Sequence, residues 1–407
     1  MTQIELAWGS GPSENYEALA SQFRPVFKRI QAGAVAREVD RKLPHDQIQW
    51  LKDAGFGALR VPRAQGGSGA SLPDLFNLLI ELAEADSNVA QALRAHFGFA
   101  EDLVNSKSAE RRARWFPRLA NGDIAGSAWS EIGDAKLEGF STKVTRNGHG
   151  FVVNGAKFYT TGSLFADWID IGASGEDGKS LTAVVARKAP GVRVIDDWDG
   201  FGQTLTASGT STFSDVHVDD DDVILDDNRF KYSAAFYQLV HLATLAGIGR
   251  AATNDVAKAV SERRRTYTHA AAARSSQDAQ VLQVVGRIRG AAYSTGAIVL
   301  KAAEALQRAF DAHFAENDAA EETANAIAEL EVAQAQTVVS NLILDAVTLL
   351  FDALGASATQ RATAFDRHWR NARTLSSHNP RIYKDRIVGD FAVNGTPPPY
   401  QWRIGQP

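Results

Sequence analysis

Asn154-Gly155-Ala156-Lys157-Phe158-Tyr159-Thr160-Thr161-Gly162 is the stretch on which the fold turns. It follows Gly150-Phe151-Val152-Val153, which predicts a strand running into an Asn-Gly turn, and a second strand is expected at Ser180-Leu181-Thr182-Ala183-Val184-Val185-Ala186. On both sides of this β-rich section the periodicity changes. Up to about Asn121 apolar residues recur at helical spacing: in Leu72 to Ala95, Leu75, Leu78, Leu79, Leu82, Ala83, Val89 and Leu93 form one stripe, with Asp74, Glu81, Glu84 and Asp86 between them. Gly66, Gly67 and Gly69 after Pro62 break the chain before that helix. From Tyr232 to about Ala353 the chain is again Ala-, Leu- and Val-rich, and Ala326 to Phe351 is long enough for a helical bundle. The class is therefore α+β, mainly α, in three units: a helical domain over residues 1–122, a β-domain over 123–228, and a helical bundle with a tail over 229–407.

Composition narrows the function. The chain has 407 residues, no cysteine and one methionine, Met1. Both residue types are useful core fillers, so their joint absence needs a reason. One reading is that the protein is made when sulfur is scarce; the other is compositional drift with avoidance of an oxidisable thiol. Without cysteine there is no disulfide, thiolate zinc site, cysteine nucleophile or iron-sulfur cluster. Nine histidines remain, without a His-Glu-x-x-His spacing, so no metal is expected. The net charge of -5 comes from interspersed acids and bases, which argues against a nucleic-acid partner or a membrane anchor. Met1 to Tyr16 shows no targeting segment and no stretch reads as a bilayer span, so the cytoplasm is the expected location. The acidic run Asp219 to Asp222, with Asp226 and Asp227, reads as a solvated connection, because the spacing and glycine of a calcium loop are missing.

Three groups of residues, in order, carry a resemblance: Gly55-Phe56-Gly57-Ala58-Leu59-Arg60-Val61-Pro62 with Gly66-Gly67-Ser68-Gly69, then Ala128-Trp129-Ser130-Glu131, then Asn154 to Gly162. Together they resemble the acyl-CoA dehydrogenase superfamily over essentially the whole chain. The resemblance implies an N-terminal helical domain, a middle β-barrel or sandwich and a C-terminal four-helix bundle, assembled as a homotetramer, with a flavin between the β-domain and the bundle. It places Ser127, Trp129 and Ser130 along the pyrimidine side of the flavin, and Tyr159 and Thr161 near its N5 edge. A flavin ring needs such a flat wall with groups that hydrogen-bond its carbonyls and N5.

The departures from the dehydrogenase pattern say more. Where such an enzyme carries its carboxylate base, this chain reads Leu375-Ser376-Ser377-His378-Asn379-Pro380, so α-proton abstraction has no agent. Ile132-Gly133-Asp134-Ala135-Lys136 replaces the segment associated with coenzyme A. Phe365 to Thr374 leading to His378, Asp196-Asp197-Trp198 with Gly202, and Val393-Asn394-Gly395 resemble instead the reduced-flavin monooxygenases of the superfamily, such as the dibenzothiophene monooxygenases of sulfur assimilation. That likeness implies His96 and His378 as hydrogen-bond donors at the reacting edge, Thr161 as the N5 partner and Trp198 as a flavin contact. His241, mid-helix in an apolar run, could line the substrate pocket, with a buried structural role as the competing reading.

Ala353-Leu354-Gly355-Ala356-Ser357 lacks most glycines of the dinucleotide-binding segment, which favours FMN over FAD, and Arg265 is the best-aligned arginine for the phosphate. No nicotinamide fingerprint is present, so reduced FMN is expected from a separate NAD(P)H-dependent flavin reductase. The expected reaction is oxygenation by O2 of a small organosulfur compound: a sulfide, sulfone or sulfinate. An N-hydroxylase of an amine or amino sugar, and an acyl-CoA dehydrogenase or flavin-binding relative, are the alternatives.

Overall fold

Why the long apolar stripe of Leu72 to Ala95 does not form one helix is the key to the N-terminal layer. A computed structural model describes residues 7–132, 139–148, 150–225 and 229–400. In it the stripe is split into α4 (Leu72–Ala85) and α5 (Ser87–Ala92), preceded by α1 (Tyr16–Gln31), α2 (Ala34–Asp40) and α3 (His45–Asp53) and followed by α6 (Arg94–Asn105) and α7 (Ala109–Ala120). Asp86 makes the break. Its backbone is extended and its carboxylate accepts the Asn88 N–H at 3.0 Å, capping α5. The same carboxylate is held at 2.8 Å by the buried guanidinium of Arg37. Periodicity registered the shared apolar face and missed the corner.

Eight strands follow: β1 (Ala125–Ala128), β2 (Lys143–Arg146), β3 (Phe151–Lys157), β4 (Trp168–Ser174), β5 (Ser180–Ala186), β6 (Val192–Val194), β7 (Ser211–Val218) and β8 (Val223–Leu225). They form one mixed sheet in the order β6-β7-β3-β2-β4-β5-β8, with β1 parallel to β4. Val144, Val153, Ile169, Ile171, Val185, Phe213 and Val216 from distant strands share one core. The sheet therefore curls around its own apolar face, as the barrel-or-sandwich expectation requires, while its hydrogen-bonded path stays open among the described residues. The expected Asn154-Gly155 turn is absent: β3 runs through it, and the register shifts between Val153 and Gly155. Gly155 has φ 153°, and a Cβ there would lie 2.5 Å from the Thr142 hydroxyl, so this dipeptide makes a bulge that only glycine fits.

The C-terminal layer has three long helices, α8 (Ser233–Glu262), α9 (Ala279–His313) and α10 (Asp318–Leu354). The short α11 (Asp366–Ser376) packs on α8 and α10 as the fourth, and α12 (Lys384–Asn394) lies along α10. Helix α4 crosses from the first layer onto α8 and α9. Helix α10 corrects one expectation: it is long and apolar enough by composition to cross a bilayer, yet it packs in this bundle. In the acidic run, Arg114 binds Asp219 at 2.9 Å and Asp222 at 2.6 Å, and Arg146 binds Asp220 at 3.2 Å. Asp226, Asp227 and the Gly133–Lys136 part of the altered segment lie outside the described residues.

One buried carboxylate joins the layers. Glu101 on α6 takes Arg60 in a bidentate pair at 2.6 and 3.1 Å and accepts the Tyr232 hydroxyl at the start of α8. Asn105, one turn on, donates to Tyr232 at 2.9 Å. Replacing Glu101 by Gln leaves the Arg60 guanidinium buried without its counter-charge, a loss of about 3–5 kcal/mol. A urea midpoint unchanged from wild type would refute this.

Candidate active site

The end of α11 turns back towards α8 through Ser377-His378-Asn379, with Asn379 in the left-handed region at φ 49°. This places His378 in a cleft. Its ring is exposed to solvent, yet so much protein surrounds it that desolvation, helped by the positive charge of Arg94, pushes its pKa down to about 4. His378 is therefore neutral at pH 7. Nδ1 pairs with Asn379 Oδ1 at 3.0 Å, and Asn379 Nδ2 donates to Gln238 Oε1 on α8 at 2.7 Å. With these amide orientations Nδ1 carries the proton and Nε2 offers a lone pair to the cleft. Turning both amides reverses the chain and makes Nε2 the donor.

His241 packs behind this ring, with centroids 4.3 Å apart. It is fully buried, its Nε2 takes the Gln91 amide at 3.1 Å, and burial lowers its pKa well below the usual value. It backs His378 and does not itself open to the cleft. The third side of the cleft is unforeseen. Arg94, at the start of α6, donates through Nε to the Tyr237 carbonyl at 3.2 Å, and its guanidinium lies 4.7 Å from the centre of the Tyr237 ring. Tyr237 can lie against α6 because residue 98 is glycine, where a Cβ would sit 2.2 Å from the ring. No motif marked Arg94; the only sequence signal is its spacing of one helical turn from Gly98.

The β-layer supplies the facing wall. Thr161 Oγ1 lies 2.7 Å from Ser208 Oγ, Ser208 lies 2.7 Å from Thr206 Oγ1, and Thr206 donates to the Gln203 carbonyl at 2.8 Å. The carbonyl can only accept, so it sets the direction of the chain: Thr206 donates to it, Ser208 to Thr206, and Thr161 to Ser208. Thr161 is left presenting lone pairs. Gly162 packs directly against the Ala92 carbonyl, two residues before Arg94, and Gln203 N–H donates to Asn371 on α11 at 2.6 Å. Thr161 and His378 thus belong to one junction, without a hydrogen bond between them among the described residues.

The other expected residues divide. Ser127 and Ser130, on and just after β1, are partly exposed, and their hydroxyls have no partner among the described residues. The Trp129 indole is held elsewhere, donating to Asp170 at 3.2 Å beneath the Arg229 guanidinium, 4.4 Å from the ring centre. Only its backbone remains for a ligand. Tyr159, half exposed at φ 65°, meets Trp198 edge-on at 6.0 Å, and Trp198 donates to the Gly202 carbonyl at 3.2 Å. Glu131 was not foreseen as structural. Burial pushes its pKa up, but the Lys157 ammonium at 2.6 Å and the Ser141 and Thr142 amides outweigh this and hold it at about 2.

Two expectations change. His96 is fully buried, with Nε2 donating to the Gly57 carbonyl at 2.8 Å and Nδ1 accepting the Ala125 N–H at 3.2 Å. Both nitrogens are used by backbone, so in this arrangement it ties α6 to β1 and has no proton to donate to a ligand. Arg265 lies beyond the far end of α8, exposed. His241 and Glu262 on that helix are roughly 30 Å apart along the axis at 1.5 Å per residue, so Arg265 cannot join this cleft within one chain. Nearby, Arg263 donates to the Leu354 carbonyl at 2.7 Å, capping α10 where a dinucleotide would approach.

Residues 13–123 match the acyl-CoA dehydrogenase N-terminal domain, and residues 239–380 match the acyl-CoA dehydrogenase C-terminal domain. The chain belongs to the acyl-CoA dehydrogenase family. Within it, the chain is 28% identical over 383 residues to the probable FMNH2-dependent monooxygenase SfnC of Pseudomonas putida, covering 92% of this chain and 94% of that protein. It is 27% identical over 391 residues to a dibenzothiophene monooxygenase of Rhodococcus qingshengii, covering 92% and 93%. The structure superposes on FMN-bound TdsC from Paenibacillus sp. A11-2 with a TM-score of 0.85 at 25% identity, over 94% of this chain and 99% of that one.

An acid-stability measurement tests the role of His96. Burial holds its pKa near 4, so between pH 6.5 and 4 the unfolded chain takes up a proton that the folded chain refuses, and stability falls as pH falls through that window. His96→Ala removes this contribution and costs about 1–3 kcal/mol at pH 7 through the unpaired Ala125 and Gly57 groups. An unaltered slope of stability against pH would show that His96 is not held neutral by both contacts.

Proposed function

We propose that this chain is the oxygenase of a two-component system: it accepts reduced FMN from a separate NAD(P)H-dependent flavin reductase and uses O2 to oxygenate a small organosulfur compound. The observation that carries the reading is the cleft at the end of α11, where this member of a dehydrogenase family presents the neutral imidazole of His378, with Arg94 and no carboxylate acting on it. An acyl-CoA dehydrogenase needs a base there that can remove a carbon-bound proton. A neutral imidazole in a desolvated cleft suits the handling of oxygen and water instead.

The residues present fit reduced FMN. N5 of a reduced flavin bears a hydrogen, and the Thr161 hydroxyl, with its own proton committed to Ser208, is the acceptor that such a group needs. Ser127 and Ser130, whose hydroxyls have no partner among the described residues, suit the pyrimidine edge, and Tyr159 with Trp198 forms an aromatic rim. When bound, reduced FMN supplies the two electrons with which dioxygen is divided between substrate and water. His378 would meet the reacting oxygen through Nε2, as acceptor with the Asn379 and Gln238 amides as they stand and as the expected donor once both are turned. Helices α6 and α8, joined through Glu101, keep bulk water from the back of the cleft.

Three further observations support the reading. The Arg263 cap on α10 and the missing glycines at Ala353–Ser357 favour the mononucleotide over FAD. Arg265 lies too far along α8 to reach this cleft in its own chain, which favours a flavin phosphate held by a second copy and hence the homotetramer. The near-absence of sulfur from the chain accords with expression under sulfur limitation. Arg94 disfavours a cationic amine substrate, so N-hydroxylation is the weaker alternative.

Anaerobic protein with reduced FMN, mixed with 18O2 and candidate sulfides, sulfones and sulfinates, is expected to yield a product carrying one 18O per turnover. No labelled product from any of them would sink the proposal, and reduction of bound flavin by a thioester would restore the dehydrogenase. In His378→Ala, product per O2 consumed falls by at least about tenfold and hydrogen peroxide rises correspondingly. Unchanged coupling would remove His378 from the mechanism.

A further inference from the structure

Three of the enclosed arginines are met by a carboxylate: Arg37 is paired with Asp86 at 2.8 Å, Arg60 with Glu101 at 2.6 Å and Arg229 with Asp170 at 2.6 Å, while Arg118 lies over the Trp115 and Trp168 rings. Arg94 differs from these in opening to the cleft. It is surrounded closely enough that desolvation lowers its pKa to about 10, yet no carboxylate pairs with it among the described residues. Nε is engaged by the Tyr237 carbonyl, the face of the guanidinium by the Tyr237 ring, and Nη1 and Nη2 have no protein acceptor among the described residues. The side chain remains partly exposed, so these donors open to the cleft shared with His378. The other titratable groups facing them are His378, His241 and Tyr237, all neutral at pH 7 because burial opposes their charged forms. A guanidinium kept charged in such surroundings, with its fork unfilled, is an oxyanion site.

We propose that Arg94 binds the oxyanion of the substrate, so that this chain oxygenates an anionic alkanesulfinate and not a neutral sulfide or sulfone. This rests on the monooxygenase reading above. A sulfinate carries its two oxygens on the sulfur that reacts, so a fork gripping them directs the sulfur lone pair towards the incoming oxygen. The balance is RSO2⁻ + FMNH2 + O2 → RSO3⁻ + FMN + H2O: one S–O bond forms, the O–O bond breaks, sulfur is oxidised by two electrons, the flavin by two more, and both flavin hydrogens leave in water. The His378 ring, backed by His241, and the Tyr237 ring, seated on Gly98, flank this fork. The inference makes Arg94 a specificity-determining residue.

The test compares methanesulfinate with the neutral dimethyl sulfone as substrates, and methanesulfonate as an inert ligand. Wild-type protein turns over methanesulfinate in preference to the sulfone, and methanesulfonate, unlike the sulfone, raises its melting temperature. Arg94→Gln raises KM for methanesulfinate on the order of 100-fold, the loss expected when one partner of a buried charge pair is removed, while the affinity for reduced FMN is unchanged. Arg94→Lys recovers part of the loss. If Arg94→Gln weakens reduced FMN and leaves the sulfinate KM intact, or if wild type treats sulfone and sulfinate alike in both turnover and melting, the assignment is overturned. Should methanesulfonate stabilise wild type but not Arg94→Gln while no organosulfur compound gains oxygen, the anion site stands and the sulfur-oxygenating function falls. If both variants fail to fold, wild type still decides against the proposal when methanesulfonate leaves its melting temperature unchanged.

Discussion

Glu101 is the constraint on which the site geometry depends. Its carboxylate receives Arg60 from the Gly55–Pro62 segment and Tyr232 from the start of α8, so one buried charge fixes three pieces of chain distant in sequence. The cleft residues of α6 and α8 stand on elements positioned by it. Arg94 and Gly98 lie on α6, one to two turns before Glu101, and Tyr237, Gln238 and His241 lie on the first turns of α8 after Tyr232. A shift of α6 against α8 would separate Tyr237 from Gly98 and Arg94 from the Tyr237 carbonyl. Buried ion pairs add little net stability in general, because desolvation offsets attraction. Here the pair acts mainly through registry: an uncompensated Arg60 is so unfavourable that only one packing of α6 on α8 is tolerated.

The electrostatics of the cleft follow from where carboxylates are missing. Arg37 and Arg60 are each answered by an acid, but among the described residues no acid pairs with Arg94 or His378. Two imidazoles beside an unpaired cation are driven to the neutral form by burial and by like charge together, with burial the larger cause. A dehydrogenase cleft has the opposite polarity, with a carboxylate base and a neutral substrate thioester. Loss of the base from this scaffold therefore does more than disable one reaction. It reverses the sign of the field, and with it the charge of the molecule that the cleft favours.

Much of this was legible in sequence. Alternation and helical periodicity sufficed for the order of helices, sheet and helices, because each layer buries one continuous apolar face. The motif around Asn154 to Gly162 correctly marked the β-layer, although Asn154-Gly155 forms a bulge; a dipeptide that permits positive φ does not state whether the strand turns or continues. The corner at Asp86 was hidden because α4 and α5 share a stripe. His96 and His378 looked alike in a list of histidines, and only hydrogen bonding tells them apart: Gly57 and Ala125 occupy both nitrogens of one, while Asn379 holds one nitrogen of the other. Arg94 could not be found, since an arginine in a helix is ordinarily a solvated residue and its isolation depends on which carboxylates fail to reach it.

The hydroxyl chain links the β-layer to the helix that carries the imidazole. Gln203 anchors it twice, accepting Thr206 through its carbonyl and donating its backbone N–H to Asn371 on α11, the helix that leads to His378. The direction in which Thr161 points its lone pairs is therefore coupled to the seating of α11, and so to the position of the imidazole.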